Sequence, residues 1–188
     1  MIPLLTPITK RAFPLFLLLT LWWGMTAFSG HTLAQSEPTP LEFLKVWEWA
    51  NRNAAGEAYL GKVITVRYEP YASDVVDSYH PYLLELTDIL KTPLRSNYRL
   101  VLKGYTDASG DAQRNQEISR KRAEDLKQTL VETYYFDGDR ITVEAFGPAG
   151  PVASNETAEG RSLNRRVEIH VYGDVTEAVR FLKPEEAP

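Results

Sequence analysis

Cysteine is absent from all 188 residues. That absence excludes disulfides, zinc ribbons, iron–sulfur clusters, thiol nucleophiles and a lipid-modified N-terminal Cys. Histidine is scarce as well. His80 and His170 stand far apart in sequence, with no ligand spacing around them, and His31 lies in the N-terminal segment. Each reads as an ordinary surface or packing residue, so neither a metal site nor a cofactor is expected. No Gly-rich phosphate loop and no Gly-x-Ser-x-Gly elbow occur, which leaves nucleotide-binding and serine-hydrolase readings without residues and argues against an enzyme. The 11 Gly and 12 Pro follow no short period, and no internal repeat is present. The formal charge of −4 gives no case for nucleic-acid binding.

Acidic residues are missing from 1–34, although the whole chain has 25. Lys10 and Arg11 precede an apolar run from Ala12 to Phe28, and small polar residues follow as far as Ala34. These are the three parts of a secretory signal peptide, with cleavage expected after Ala34 and with Thr32 and Ala34 as its small positions. The competing reading is an uncleaved membrane anchor. Its apolar run sits at the short edge of what spans a bilayer, and Pro14 and Gly24 weaken it as a spanning helix. Cleavage would remove two basic residues and no acids, taking the charge from −4 to −6. The remaining chain is long enough to build its own core.

What is present beyond residue 34 is a run of alternating and periodic segments. Gln35–Pro40 reads as a linker and Leu41–Ala55 as a helix, with Leu41, Leu44, Trp47 and Ala50 at helical spacing. Gly56 and Gly61 bracket a break. Strands are expected at Lys62–Tyr68, Tyr98–Gly104, Arg140–Phe146 and Arg166–Tyr172. Helices are expected at Asp77–Leu90, with Pro81 in its first turn, and at Gly110–Tyr134. Gly147–Gly160 reads as a loop, and Asp174–Leu182 as a short helix before a frayed end. The order βαβαββ predicts an α+β fold with a mixed four-stranded sheet covered by helices on one face.

Two charged residues stand out. Asp107 follows the second strand within Gly104-Tyr105-Thr106-Asp107-Ala108-Ser109-Gly110. Loops after strands are where polar groups face ligands, although an Asp there also serves simply to satisfy turn N–H groups. Arg122 lies four residues after Ile118 and four before Leu126, which places it beside the apolar stripe of the long helix, while Arg120 and Lys121 turn outward. A cation there either snorkels or is held ready for a carboxylate. Together the two would suit a zwitterion: Asp107 for an ammonium, Arg122 for a carboxylate. A third cluster, Asn155 to Glu168, carries Arg161, Arg165 and Arg166, but Glu156, Glu159 and Glu168 dilute it as a basic patch.

GYTDASG, NQEISRKRAEDL and ITVEAFGPAGPVASNETAEGRSLNRRVEI, in that order, resemble the OmpA-like (OmpA/Pal/MotB) peptidoglycan-binding domain over roughly Val63–Tyr172. The resemblance implies an OmpA-like two-layer sandwich. It also implies non-catalytic binding of the peptidoglycan stem peptide, chiefly the free end of diaminopimelate, in the periplasm or otherwise associated with the outer membrane and cell wall. Asp107 and Arg122 match the family's ligand-binding pair. Thr106, Asn115 and Ile118 would complete the site, with the Gly147–Gly160 loop at its rim. Asn164, Arg165 and Arg166 match the Asn-Arg-Arg signature, which with Arg161 would brace the site. One of Arg165 and Arg166 is expected to be buried against an acid and the other to be more exposed. The sequence departs from the family at Tyr105, where His is usual, and at Tyr71, where an acid is common. The rival reading is the same fold without its ligand, serving as a protein-interaction scaffold in the cell envelope. The chain thus divides into 1–34 signal, 35–61 linker and N-terminal helix, 62–173 OmpA-like domain and 174–188 tail. The N-terminal helix either docks on the domain or recruits an envelope protein.

Overall fold

The computed structural model describes residues 39–180. The signal-peptide and anchor readings, most of the linker and the end of the chain lie outside them. Helix α1 (Pro40–Ala50) begins in a capping box: Thr39 Oγ1 accepts from the Glu42 N–H, and Glu42 Oε2 accepts from the Thr39 N–H. It is shorter than the expected Leu41–Ala55, because Asn51 stops it by donating its side-chain amide to Trp47 O. Its inward face is Pro40, Leu44 and Glu48 rather than a stripe ending at Ala50, which is exposed.

Strand β1 (Ala58–Arg67) starts four residues before the expected Lys62. The reason is Gly61, which lies within the strand at a pair of bulges and not in a break. It has φ +102, and a Cβ there would come within 2.7 Å of Phe43 and Trp47. A side chain would push α1 off the sheet. Helix α2 (His80–Leu90) follows a 3-10 turn at Asp77–Tyr79, so the single helix expected over Asp77–Leu90 is two pieces. Strand β2 (Arg99–Tyr105) leads to helix α3 (Ala112–Glu132), whose N-cap Asp111 accepts from the Arg114 N–H. Strand β3 (Ile141–Ala145) is followed by a loop and then helix α4 (Ala158–Asn164), which begins inside the expected Gly147–Gly160 loop and runs past it. Strand β4 (Arg166–Gly173) and helix α5 (Thr176–Arg180) complete the described chain.

The sheet order is β1-β4-β2-β3, with β4 antiparallel to both neighbours and β2 parallel to β3. This is the mixed four-stranded sheet that the sequence predicts. Leu100 and Leu102 of β2 and Val167, Ile169 and Val171 of β4 join Leu83, Leu86 and Leu90 of α2 and Ala123, Leu126 and Leu130 of α3 in one core. Burying aliphatic side chains of this kind is worth about 1.5–3 kcal/mol each. The alternate residues of β4 (Arg166, Glu168 and His170) lie outside that cluster and are nevertheless buried, covered by long side chains of the sheet itself. One strand therefore carries an apolar and an ionic face, and the helices sit on the first.

Candidate functional site

The site forms where β2 ends and α3 begins. Gly104 brings the two close: a Cβ there would lie 2.1 Å from Ser119 O, so no other residue permits this approach. Asp107 stands three residues after Gly104, just past the end of the strand. Its Oδ1 accepts from the Ser109 N–H at 2.9 Å, the ordinary duty of a turn aspartate. Its Oδ2 accepts from Arg165 Nη1, also at 2.9 Å. Burial pushes the Asp107 carboxyl upward, but the hydrogen bonds from Arg165 and Ser109 outweigh it and hold the group below its usual range. Each oxygen has accepted one hydrogen bond and has room for another.

Arg122 is 1% exposed, the largest of the fully buried side chains. Its Nε donates to Ala72 O at 2.8 Å and its Nη2 to Glu69 O at 3.0 Å, and the guanidinium lies over the Tyr68 ring, 5.1 Å from its centre. Desolvation lowers its pKa, the negative potential of Tyr68 and Asp107 works the other way, and Arg165 adds to the lowering. No carboxylate hydrogen-bonds it, and Nη1 has no partner among the described residues. The charge is held in place by carbonyls and a ring, with donors to spare.

Asp107 and Arg122 line one cleft of about 190 Å³, together with Thr106, Asn115, Ile118, Arg161 and Arg165. Thr106 is 5% exposed and its Oγ1 has no hydrogen-bond partner among the described residues. Asn115 donates to Ser109 O and ties the first turns of α3 to the Asp107 loop. The Gly147–Gly160 loop does not form the rim. It works from behind: Asn155 Oδ1 accepts from both the Ala108 N–H and Asn164 Nδ2. Asn164 also takes the Val152 and Ala153 N–H groups, so this amide fixes the loop and, through Asn155, the Asp107 turn.

The arginine signature differs from its expected pattern. Arg165 and Arg166 are both paired and both largely buried. Arg166 meets Glu168 at 2.9 Å and lies over the Tyr105 ring, while Arg165 meets Asp107 and donates Nε to Tyr68 O. The alternation argument fails because Arg165 precedes β4 as the C-cap of α4, off the pleat. Of the four residues read as braces, Asn164 and Arg166 stand behind the cleft, whereas Arg161 and Arg165 are part of its wall.

The family model for the OmpA family matches residues 67–165, a span that holds every residue of this cleft. The chain belongs to the OmpA family. Outer membrane protein Omp38 of Acinetobacter baumannii is 30% identical over 129 residues, 69% of this chain and 36% of its own. The chain thus spans about a third of that relative's length. Peptidoglycan-binding protein ArfA of Mycobacterium tuberculosis is 42% identical over 73 residues, 39% of this chain and 22% of its own. Among solved structures, the cell wall anchor of the T6SS from Pseudomonas aeruginosa superimposes with TM-score 0.51 at 30% identity, covering 73% of this chain and 99% of that one.

In this OmpA-family domain, Tyr105 points away from the cleft. It stacks on Phe146, ring centres 5.1 Å apart, on the helix-free face. Replacement of the family's usual His there therefore leaves the cleft wall untouched. Pro70, Tyr71 and Ser109 line the cleft but were not among the site residues that charge and helix phase select. The sequence signal for the first two was Glu69-Pro70-Tyr71-Ala72, a turn immediately after a strand.

Proposed function

We propose that this OmpA-family domain is a non-catalytic binder of peptidoglycan stem peptides in the cell envelope. It would hold a diaminopimelate-type zwitterion, whose ammonium adds to Asp107 and whose carboxylate meets Arg122. The observation that carries the reading is unused hydrogen-bonding capacity around one cleft: a charged acceptor at Asp107, spare guanidinium donors at Arg122 and a hydroxyl at Thr106. Two relatives, one named a peptidoglycan-binding protein and the other a cell wall anchor, support it. Arg165 already neutralises Asp107, which keeps the carboxylate ionised and still able to accept.

The test is a titration with a diaminopimelate-containing stem peptide. Asp107→Asn keeps the shape and removes the charge, so it should lose about 1.5–3 kcal/mol of binding, roughly ten-fold or more. Arg122→Gln should lose a similar amount, and some stability besides, because Arg122 also holds the 69–72 turn. A folded wild type that does not bind would leave the scaffold reading in its place.

A further inference from the structure

The cleft has an outer wall that no charge argument selects. Residues 69–72 form a β-turn closed by the Ala72 N–H on Glu69 O at 3.2 Å. Pro70 fixes its own φ near −65°, and Tyr71 has φ +64. Pro at the second position with positive φ at the third defines a type II turn, whose third position ordinarily takes Gly or Asn. A Cβ there is crowded, which disfavours any residue but Gly or Asn. Tyr71 recovers none of this by packing, since it is 83% exposed.

What the residue does have is position: Tyr71 and Ile118 both line the cleft. The turn that carries it is gripped at both ends by Arg122, through Glu69 O and Ala72 O. Arg114 of α3, exposed and without a hydrogen-bonded acid, lies 5.8 Å from the ring centre and adds a cation–π contact. The same cation that would meet the ligand's carboxylate thus also sets where this aromatic stands.

Tyr135 supplies the comparison. It too is non-glycine at positive φ (+54) and 82% exposed. Its strain has a structural purpose: three residues past the end of α3, it turns the chain so that the Phe136 N–H reaches back to Leu130 O at 3.0 Å, closing the helix. It is not among the residues that line the cleft.

We infer that Tyr71 is a ligand-contacting wall of this cleft, its ring packing on the methylene chain that leads away from the charged free end of the captured residue. The inference rests on the stem-peptide reading above and names the apolar half of the same recognition. Asp107 and Arg122 take the charged free end, and Ile118 and Tyr71 take the methylene chain beside it.

The experiment titrates the tripeptide L-alanyl-γ-D-glutamyl-diaminopimelate into the wild-type chain and into Tyr71→Gly, Tyr71→Phe and Tyr135→Gly, with a thermal melt of each. Tyr71→Gly should melt no lower than wild type and bind about five- to ten-fold more weakly, the size expected from returning a few tens of Å² of apolar surface to water. Tyr71→Phe should bind like wild type, because the ring and not the hydroxyl is used. Tyr135→Gly should melt no lower than wild type and bind unchanged. Wild-type affinity in Tyr71→Gly would overturn this inference while leaving the stem-peptide reading intact. So would a melting temperature that falls in step with affinity, since the ring would then be a prop for the turn. A wild type that does not bind the tripeptide at all would remove both.

Discussion

Glu48 and Asp107 are both carboxylates held by an arginine, yet they sit in opposite kinds of surroundings. Glu48 is fully buried under α1. Its Oε1 accepts from Arg95 Nε at 2.7 Å and from the Tyr98 hydroxyl at 2.9 Å, and its Oε2 accepts from Arg95 Nη2 at 3.0 Å. The fork and the hydroxyl use the acid from three sides, and Glu48 is not among the residues that line the cleft. Asp107 has one hydrogen bond on each oxygen and faces open volume, beside a threonine hydroxyl with no partner. A carboxylate paired with a guanidinium stands in both places. What separates a staple from a site is whether the polar valences close on one another or remain available.

The largest expected effect tests the closed network. Glu48→Ala would strand the Arg95 guanidinium and the Tyr98 hydroxyl, whose pKa burial already raises, with the nearby Glu48 charge adding to it. Removing one member of a buried pair costs about 3–5 kcal/mol. Denaturant unfolding should show that loss, while stem-peptide affinity, measured where the variant is still folded, stays as in wild type. A variant that unfolds like wild type would mean that α1 is not stapled by this acid.

A second closed network makes stability depend on acid. Glu168 lies on the helix-free face of β4. Its Oε1 accepts from Arg166 at 2.9 Å and faces Lys62 at 3.4 Å. Its Oε2 meets His170 Nε2 at 3.0 Å, and His170 Nδ1 in turn meets the Tyr59 hydroxyl. Burial pushes this carboxyl up, but His170, Arg166 and Lys62 outweigh it and leave it at about 2, against an ordinary 4.5. A depressed carboxylate stabilises fully above its unfolded value and loses that contribution as pH falls through its folded one. Stability on the order of 2–3 kcal/mol should therefore disappear between about pH 4.5 and pH 2. Glu168→Gln should flatten that limb of a pH-dependent unfolding series. An unchanged acid limb would assign the transition to other carboxylates.

The same contrast explains what the sequence disclosed. Asp107 and Arg122 were legible because each rests on a local rule: the end of a strand for one, the phase of a long helix for the other. Strand β4 was legible because Val167, Ile169 and Val171 alternate with Glu168 and His170. Glu48 was not legible. It stands four residues after Leu44 on the inner face, but what makes an acid tolerable there is Arg95, 47 residues away. Helix α4 has seven residues, barely two turns, too few for a periodic signal. The sequence marks Tyr71 only as a departure from a family pattern, because a positive φ at a tyrosine is set by the turn around it. The membership of Arg165 in the cleft was hidden by treating it as a strand residue.

The smallest stability effect belongs to the open network and is the sharpest test of it. Thr106 is buried with its hydroxyl unpartnered, at the wall of the cleft. A buried hydroxyl without a partner costs free energy, so replacing it with a methyl of similar shape should be neutral or stabilising, by up to about 1 kcal/mol. Its backbone role is unaffected, since the Thr106 N–H donates to Gly147 O at 2.7 Å whatever the side chain. If that hydroxyl is held for a ligand, Thr106→Val should melt at or slightly above wild type and bind stem peptide about three- to ten-fold more weakly, the worth of one hydrogen bond. The two readings move in opposite directions, which no purely structural role for Thr106 produces. Lower stability with unchanged affinity would show that the hydroxyl serves the fold, and would move Thr106 from the open network to the closed one.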